Sequence, residues 1–165
     1  MTRESVSTPT VADPGRSTSL ALPFALRGEE GERLSFGDTT IIIRASAEST
    51  AGAFTLFEEV PPLGDTSRHV HDNEDEMFYV LEGEHDFECG DQSFRLGAGG
   101  LVFLPRGVPH AHRRVVPRVG RLLVLTVPGG LDGFFRALAA ADRTGGLTAT
   151  AVARASEDHG ITWLT

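Results

Sequence analysis

The chain has 165 residues, 40% of them hydrophobic, which suits one domain with a core of its own and is short of two. Its 23 Asp and Glu against 15 Lys and Arg give a net charge of −8, which argues against nucleic acid as a partner because phosphates would be repelled. The single cysteine, Cys89, excludes an intramolecular disulfide and a cysteine-based zinc site.

The N-terminal stretch, residues 1–19, consists mostly of Ser, Thr, Pro and charged residues. Its apolar surface is too small to offset the entropy lost on ordering, so we expect a disordered tail. The stretch also lacks the apolar core of a signal peptide, and no run of the sequence is apolar enough to span a membrane. We therefore expect a soluble, cytoplasmic protein.

Between residues 20 and 128 the chain consists of short β-type runs separated by turn residues such as Gly, Pro and Asp. The predicted strands are Arg33–Phe36, Thr40–Ser46, Ala53–Val60, Glu76–Leu81, His85–Cys89, Gln92–Arg95, Leu101–Leu104, His110–Val115 and Arg121–Val127. No helix-length segment separates them, which argues against a parallel α/β sheet. The pattern predicts an antiparallel sandwich or barrel.

Residues 129–165 have a different pattern, which is typical of helices. Gly130–Asp142 has apolar residues at helical spacing, namely Leu131, Phe134, Phe135 and Leu138. Thr148 is a suitable cap for a second helix that runs to about Asp158, with Gly160 as its stop. We predict a C-terminal helical extension that packs on the β domain.

Four possible metal ligands, His69, His71, Glu76 and His110, lie in two short segments of the chain. His69 and His71 are two residues apart, so in a strand both side chains point to the same face. Glu76 opens a strand whose inward face is otherwise apolar, and His110 opens a later strand. A single inward histidine is usually a hydrogen-bonded core residue, but three imidazoles and a carboxylate in one interior are costly without a cation. We predict that these four residues bind one divalent transition metal and leave positions open for a substrate.

The same residues resemble the two sequence motifs of the cupin superfamily. The first motif, G-x5-HxH-x3-4-E-x6-G, is matched, with one residue fewer after its first glycine, by Gly64, His69, His71, Glu76 and Gly83. The second, G-x5-PxG-x2-H-x3-N, is matched, with Arg114 in place of the asparagine, by Gly99, Pro105, Gly107 and His110. The resemblance implies an all-β fold, a double-stranded antiparallel β-barrel (cupin or jelly-roll) with short C-terminal helices. It also implies a homodimer.

Within the cupins, segments 103–110 and 127–135 are similar to small single-domain proteins of the quercetin 2,3-dioxygenase type. This resemblance implies a three-His, one-Glu centre that holds Fe, Ni, Mn or Co, with Zn as a further candidate. It also implies an apolar cavity for a flat, enolisable or phenolic substrate. From strand alternation, we expect the cavity walls to include Phe54, Leu56, Phe78, Phe103 and Leu125.

The resemblance favours a metal-dependent dioxygenase, in which the ion stabilises a substrate anion that reacts with O2. Glu76 would serve both as a ligand and as the base that removes the hydroxyl proton of the substrate. Two alternatives stay open. The same centre could act without oxygen, as an isomerase, cyclase or lyase of secondary metabolism, or the protein could bind a small molecule without catalysis.

Other polar residues receive weaker assignments. His112 is two residues beyond His110 and should point the same way, either as a catalytic acid–base group or as a rim histidine bonded to backbone. We expect His85 to be an exposed turn residue. We also expect the segment after His71 to be a solvated turn that contains Asp72, Glu74 and Asp75.

Overall fold

The computed structural model describes residues 21–28, 30–60, 65–115 and 120–164. The tail predicted over residues 1–19 lies outside this part of the chain, as does the first motif glycine, Gly64. The described residues form strands and two helices. In chain order the strands are β1 (Glu32–Phe36), β2 (Thr39–Ala45), β3 (Thr55–Glu59), β4 (His69–His71), β5 (Asp75–Glu82), β6 (Glu84–Cys89), β7 (Gln92–Gly97), β8 (Leu101–Leu104), β9 (His110–Arg114), β10 (Arg121–Val127) and β11 (Ile161–Trp163).

The strands pair into two antiparallel sheets. The first has six strands in the order β1-β2-β3-β10-β5-β8, and the second has five in the order β11-β4-β9-β6-β7. Neighbours in a sheet are often distant in sequence, as in a jelly-roll, where strands far apart along the chain meet. The predicted fold class, mostly β with two antiparallel sheets and short C-terminal helices, is confirmed.

Alternate residues of each strand point into a shared core. In β10, Leu122, Val124 and Thr126 are buried, whereas Leu123 and Leu125 between them remain partly exposed. This is the two-residue period of a strand with one face covered. Strands of both sheets contribute large side chains to the core, among them Phe57, Phe78, Val80, Phe87 and Leu104.

Both predicted helices are present, as α1 (Leu131–Gly145) and α2 (Ala149–Asp158). The apolar positions of α1 are buried, and its Phe135 meets Phe57 of β3 edge-on at a ring distance of 4.8 Å. Buried Asp132 also joins α1 to β3, because its Oδ1 accepts a hydrogen bond from the Thr55 hydroxyl at 2.8 Å. Thr148 caps α2, as predicted, by accepting a hydrogen bond from the Ala151 amide at 3.1 Å.

The second helix ends at Asp158, as predicted, and residues 161–163 form a strand that the sequence analysis did not predict. Gly160, with a φ of 68°, turns the chain after α2 in the left-handed region that favours glycine. The following strand β11 then pairs with β4, and Trp163 lies opposite His69 in the register. The extension is therefore part of the sheet that carries the first two predicted ligands. The division of the chain at residues 128 and 129 stays a prediction.

Neither helix of the described chain has the length and apolar character needed to cross a membrane.

Candidate metal centre

The fold brings the four predicted ligands to one point. His69 and His71 come from β4, Glu76 from β5 and His110 from β9, where His110 lies directly opposite His69. One ligand atom from each residue can be chosen so that all four lie within 4.8 Å of one another. All four residues are buried. The amide of Gly107, in the turn before β9, donates to the His71 carbonyl at 2.8 Å and so ties the two motif segments together.

Two of the imidazoles are oriented by backbone carbonyls. Nδ1 of His69 lies 2.8 Å from the carbonyl oxygen of Ser67, and Nδ1 of His110 lies 2.9 Å from that of Val108. Because a carbonyl only accepts, each Nδ1 must carry the proton of the ring. The lone pair of each ring is then on Nε2, which is the arrangement that metal-binding histidines use.

His71 has a carboxylate partner instead. Its Nδ1 lies 3.5 Å from Oε2 of Glu74, and its Nε2 lies 3.8 Å from Oε2 of Glu76. Glu74 is buried, so its assignment to a solvated turn was wrong. The cause is tertiary, since Gly130 at the start of α1 lies against the Glu74 side chain. Asp72 in the same turn is exposed, as expected.

The charges at the centre suit a cation. Burial by itself raises the pKa of Glu76, but His71 and His110 outweigh burial and lower the pKa to about 2, so the carboxylate is ionised. Burial, together with the neighbouring His110, lowers the pKa of His69 to about 4, which keeps that imidazole neutral. Burial also opposes the charged form of His71, but Glu76 and Glu74 raise its pKa overall.

The donor set fits a divalent metal ion. Nε2 of His110 is buried and lies 3.1 Å from Oε2 of Glu76, yet it makes no hydrogen bond within the described residues. Buried polar atoms normally have a partner, and an ion at this point would supply one. Three imidazoles and a carboxylate suit Fe, Ni, Mn, Co and Zn alike.

A cavity of about 50 Å³ adjoins His69, His71 and Glu76. The side chains of Phe57 and Phe78, from the six-stranded sheet, line the cavity. The other apolar walls come from the C-terminal extension, through Leu131, Phe134, Phe135, Ile161 and Trp163. The C-terminal extension is therefore part of the site as well as a cover for the sheet.

Trp163 lies where the cavity reaches the surface, since the side chain is 39% exposed. Its ring lies 4.8 Å from that of His69, and its Nε1–H donates to the hydroxyl of Ser156 at 2.8 Å. The tryptophan is thus held by α2 against a predicted ligand.

Of the five predicted wall residues, the structure places only Phe78 in this cavity. Phe54 and Leu56 line a groove on the outside of the six-stranded sheet, and Phe103 is 51% exposed. Leu125 lies opposite Leu56 and shares its outward phase. The prediction was wrong for these four residues because the alternation was started from the wrong residue, and a shift of one position reverses the face of a whole strand.

His112 lies inside the cavity and not at a rim. Its backbone is held by Thr66, whose hydroxyl accepts from the His112 amide at 2.9 Å and donates to the His112 carbonyl at 3.0 Å. Burial lowers the pKa of His112 to about 3 despite the charge of Glu76, so the ring is neutral. Its catalytic role stays a prediction.

The sequence analysis missed Glu59. This residue ends β3, is 3% exposed and lines the cavity, with its Oε2 3.8 Å from Nε2 of His112. Burial, reinforced by the charge of Glu76, raises the pKa of Glu59 to about 8. The available signal was the pair Glu58-Glu59 in a predicted strand, since one of two successive residues must face inward. His85 was also misassigned, because it is the second residue of β6 and is fully buried.

Comparison with known proteins gives consistent matches. Residues 56–126 match a family model described as Cupin domain. The chain is 32% identical over 119 residues to quercetin 2,3-dioxygenase of Bacillus subtilis (strain 168), an alignment that covers 72% of this chain. It spans only 35% of the length of that relative.

Solved structures show the same fold. An RmlC-like cupin from Shewanella frigidimarina superposes with a TM-score of 0.57 at 21% identity, covering 68% of this chain and 97% of that one. The polyketide cyclase RemF from Streptomyces resistomycificus superposes with a TM-score of 0.54 at 25% identity, covering 64% of this chain and 80% of that one.

Proposed function

Because this chain belongs to the cupin superfamily, we propose that it is a metal-dependent oxygenase that acts on a flat, enolisable or phenolic small molecule. The observation that carries the proposal is the buried set of three imidazoles and one carboxylate beside an apolar cavity. The similarity to a quercetin 2,3-dioxygenase supports O2 as the second substrate.

His69, His71, Glu76 and His110 would hold the ion. A divalent metal at this position supplies a Lewis acid that lowers the pKa of a substrate hydroxyl. Glu76 would be both a ligand and the base that accepts that proton. Phe57 and Phe78 offer ring faces and edges to a flat substrate, and the apolar walls exclude water from its anion.

The size of the cavity bears on the substrate. A volume of about 50 Å³ corresponds to a few water molecules, well below the several hundred Å³ of typical drug-sized sites. A small cavity favours small members of the proposed substrate class. We therefore propose single-ring phenols and enols for the first screen.

A non-oxidative reaction is the second candidate, as an isomerase, cyclase or lyase that uses the same metal. Two observations favour it: the likeness to the polyketide cyclase RemF, and the presence of His112 and Glu59 in the cavity. A neutral imidazole beside a protonated carboxyl group could carry a proton between two carbon atoms of a substrate.

The first experiment is elemental analysis of the purified chain and of the variants His69→Ala and His110→Ala. We expect about one equivalent of Fe, Ni, Mn, Co or Zn in the wild-type protein and its loss in both variants. His159→Ala, which changes a histidine outside the four ligands, should keep the metal. A wild-type chain that takes up no metal, even after reconstitution with each ion, would contradict the proposal.

Turnover then separates the two candidate reactions. An oxygenase should consume O2 in proportion to substrate and stop under strict anaerobiosis. Turnover that continues without oxygen would exclude the oxygenase and favour the isomerase, cyclase or lyase. Ligand binding without turnover in either condition would indicate a binding protein.

We also propose that the chain forms a homodimer through the outer face of the six-stranded sheet. On that face, β5 and β8 present exposed apolar side chains, namely Tyr79, Leu81, Leu101 and Phe103. Contiguous exposed apolar residues of this kind are typical of protein interfaces.

A further inference from the structure

Two polar side chains of the cavity, Glu59 and His112, lie outside the set of proposed metal ligands. Both are more than nine-tenths buried. Oε2 of Glu59 and Nδ1 of His112 have no hydrogen-bond partner within the described residues. The distance of 3.8 Å between Oε2 of Glu59 and Nε2 of His112 is too long for a direct hydrogen bond. Leaving such groups unpaired in a protein interior costs free energy, so the pair is suited to a further polar partner.

The pair adjoins the proposed metal centre along β9. His112 is two residues beyond His110, so the Cα atoms of these two residues are roughly 7 Å apart. The ring of Phe78 lies 5.1 Å from that of His112, and both residues line the cavity together with Phe57. A ligand held by the metal at one end would therefore contact aromatic side chains along its middle and reach Glu59 and His112 with its other end.

We propose that Glu59 and His112 form a second polar subsite, so that the substrate is a small bifunctional molecule. One end of its ring carries the metal-binding oxygen atoms, and the other end carries a neutral oxygen or nitrogen function that hydrogen-bonds to this pair. The inference rests on the proposed function, since it uses the metal centre as the first subsite.

The chemistry of the two residues indicates which function they would bind. The carboxyl group of Glu59 offers oxygen atoms that accept hydrogen bonds. The imidazole of His112 has an N–H donor in either tautomer. A carboxamide or a hydroxyl group can both accept and donate, so it can satisfy both residues. An alkyl group of the same shape would leave two buried polar groups unpaired.

The test uses two catechols that differ only at the distal end. In 3,4-dihydroxybenzamide a carboxamide stands opposite the catechol oxygens, and in 4-isopropylcatechol an alkyl group of similar shape takes its place. Binding to the zinc-loaded chain is measured by isothermal titration calorimetry under argon, because zinc has no redox chemistry and argon prevents catechol oxidation. We expect the wild-type chain to prefer the amide by about tenfold or more, the range of one or two hydrogen bonds.

Variants of Glu59 and His112 test whether these two residues cause the preference for the amide. Glu59→Leu should lower the preference to about one, whereas Glu59→Gln, which keeps a hydrogen-bonding group, should retain most of it. His112→Phe provides a second loss-of-function variant if Glu59→Leu does not fold. The matched control is Glu58→Gln, which makes the same change one residue earlier, where the side chain pairs with Arg44 and Arg121 on the other face of the strand.

A wild-type preference near one, failure of both catechols to bind, or an unchanged preference in Glu59→Leu and His112→Phe would overturn the inference. The zinc content of every sample is measured beside the titration. Absence of zinc from the wild-type chain would overturn the proposed function and this inference together. A preference near one in a chain that holds zinc would overturn this inference alone.

Discussion

At the proposed metal centre, the second ring nitrogen of each of the three imidazoles lies near an oxygen atom, and these oxygen atoms differ in charge. Backbone carbonyls orient His69 and His110, whereas the carboxylate of Glu74 lies beside His71. Partners of this kind set the tautomer and the orientation of a metal-binding histidine. We therefore propose Glu74 as a positioning residue that would not touch the ion itself.

We predict that Glu74→Gln weakens metal binding by about ten- to a hundredfold, the range found when such partners are removed. The measurement is a competition titration with a chromophoric chelator. Asp72→Asn is the matched control, because Asp72 is in the same turn but exposed, and its affinity should equal that of the wild-type chain. Equal affinities in Glu74→Gln and the control would show that the carboxylate has no positioning role.

Among the elements, the short strand β11 contributes to the site although it carries none of the four proposed ligands. Its three residues pair with β4, and this pairing places Trp163 against His69. The strand also contributes Ile161 to the cavity wall. An edge strand beside the ligand-bearing strand thus links the C-terminal extension to the metal centre.

This placement makes Trp163 a fluorescent reporter of metal binding, because it is the single tryptophan of the chain. We predict that Ni²⁺ quenches the tryptophan fluorescence and that the quenching saturates at one equivalent. The reason is that the ion would bind to the imidazole that lies next to the tryptophan ring. His69→Ala should abolish the saturable quenching, and His159→Ala should keep it. Unchanged fluorescence in a chain shown by elemental analysis to hold nickel would mean that β11 does not dock on β4 in solution.

For the whole molecule, the two faces of the six-stranded sheet differ in their environment. The inner face packs against the core, while the outer face carries the exposed apolar side chains of β5 and β8. Burying this patch against a second copy would stabilise both chains in proportion to the area removed from water. The cavity lies on the inner side, so a dimer formed this way would leave it accessible.

We predict that the wild-type chain is a dimer by light scattering at micromolar concentration and that Leu101→Glu combined with Phe103→Glu makes it monomeric. Buried carboxylates in an apolar interface cost several kcal/mol, enough to dissociate a dimer of moderate affinity (about 8 kcal/mol at micromolar Kd). Phe94→Glu, on an exposed position of β7 in the other sheet, is the control. A wild-type chain that is monomeric over the whole concentration range would contradict the proposed dimer.

The sequence by itself predicted the fold class, the two helices and the four residues that the fold brings together as proposed ligands. His69 and His71 share a face through local backbone geometry, and the Gly and Pro turns mark where Glu76 and His110 begin their strands. These features depend on residues close together in the chain. The family motif spans the same residues, which is why the resemblance pointed to these four proposed ligands without a structure.

Only the tertiary structure decided which side chains face the cavity. β10 is apolar on both faces, and β3 reads Thr-Leu-Phe-Glu-Glu, so neither strand has the clean alternation that would reveal its inner side. Glu59 faces inward, Glu74 is buried and β11 pairs with β4. Each of these features depends on which element packs against which. Those contacts join residues far apart in the chain, and local periodicity carries no information about them.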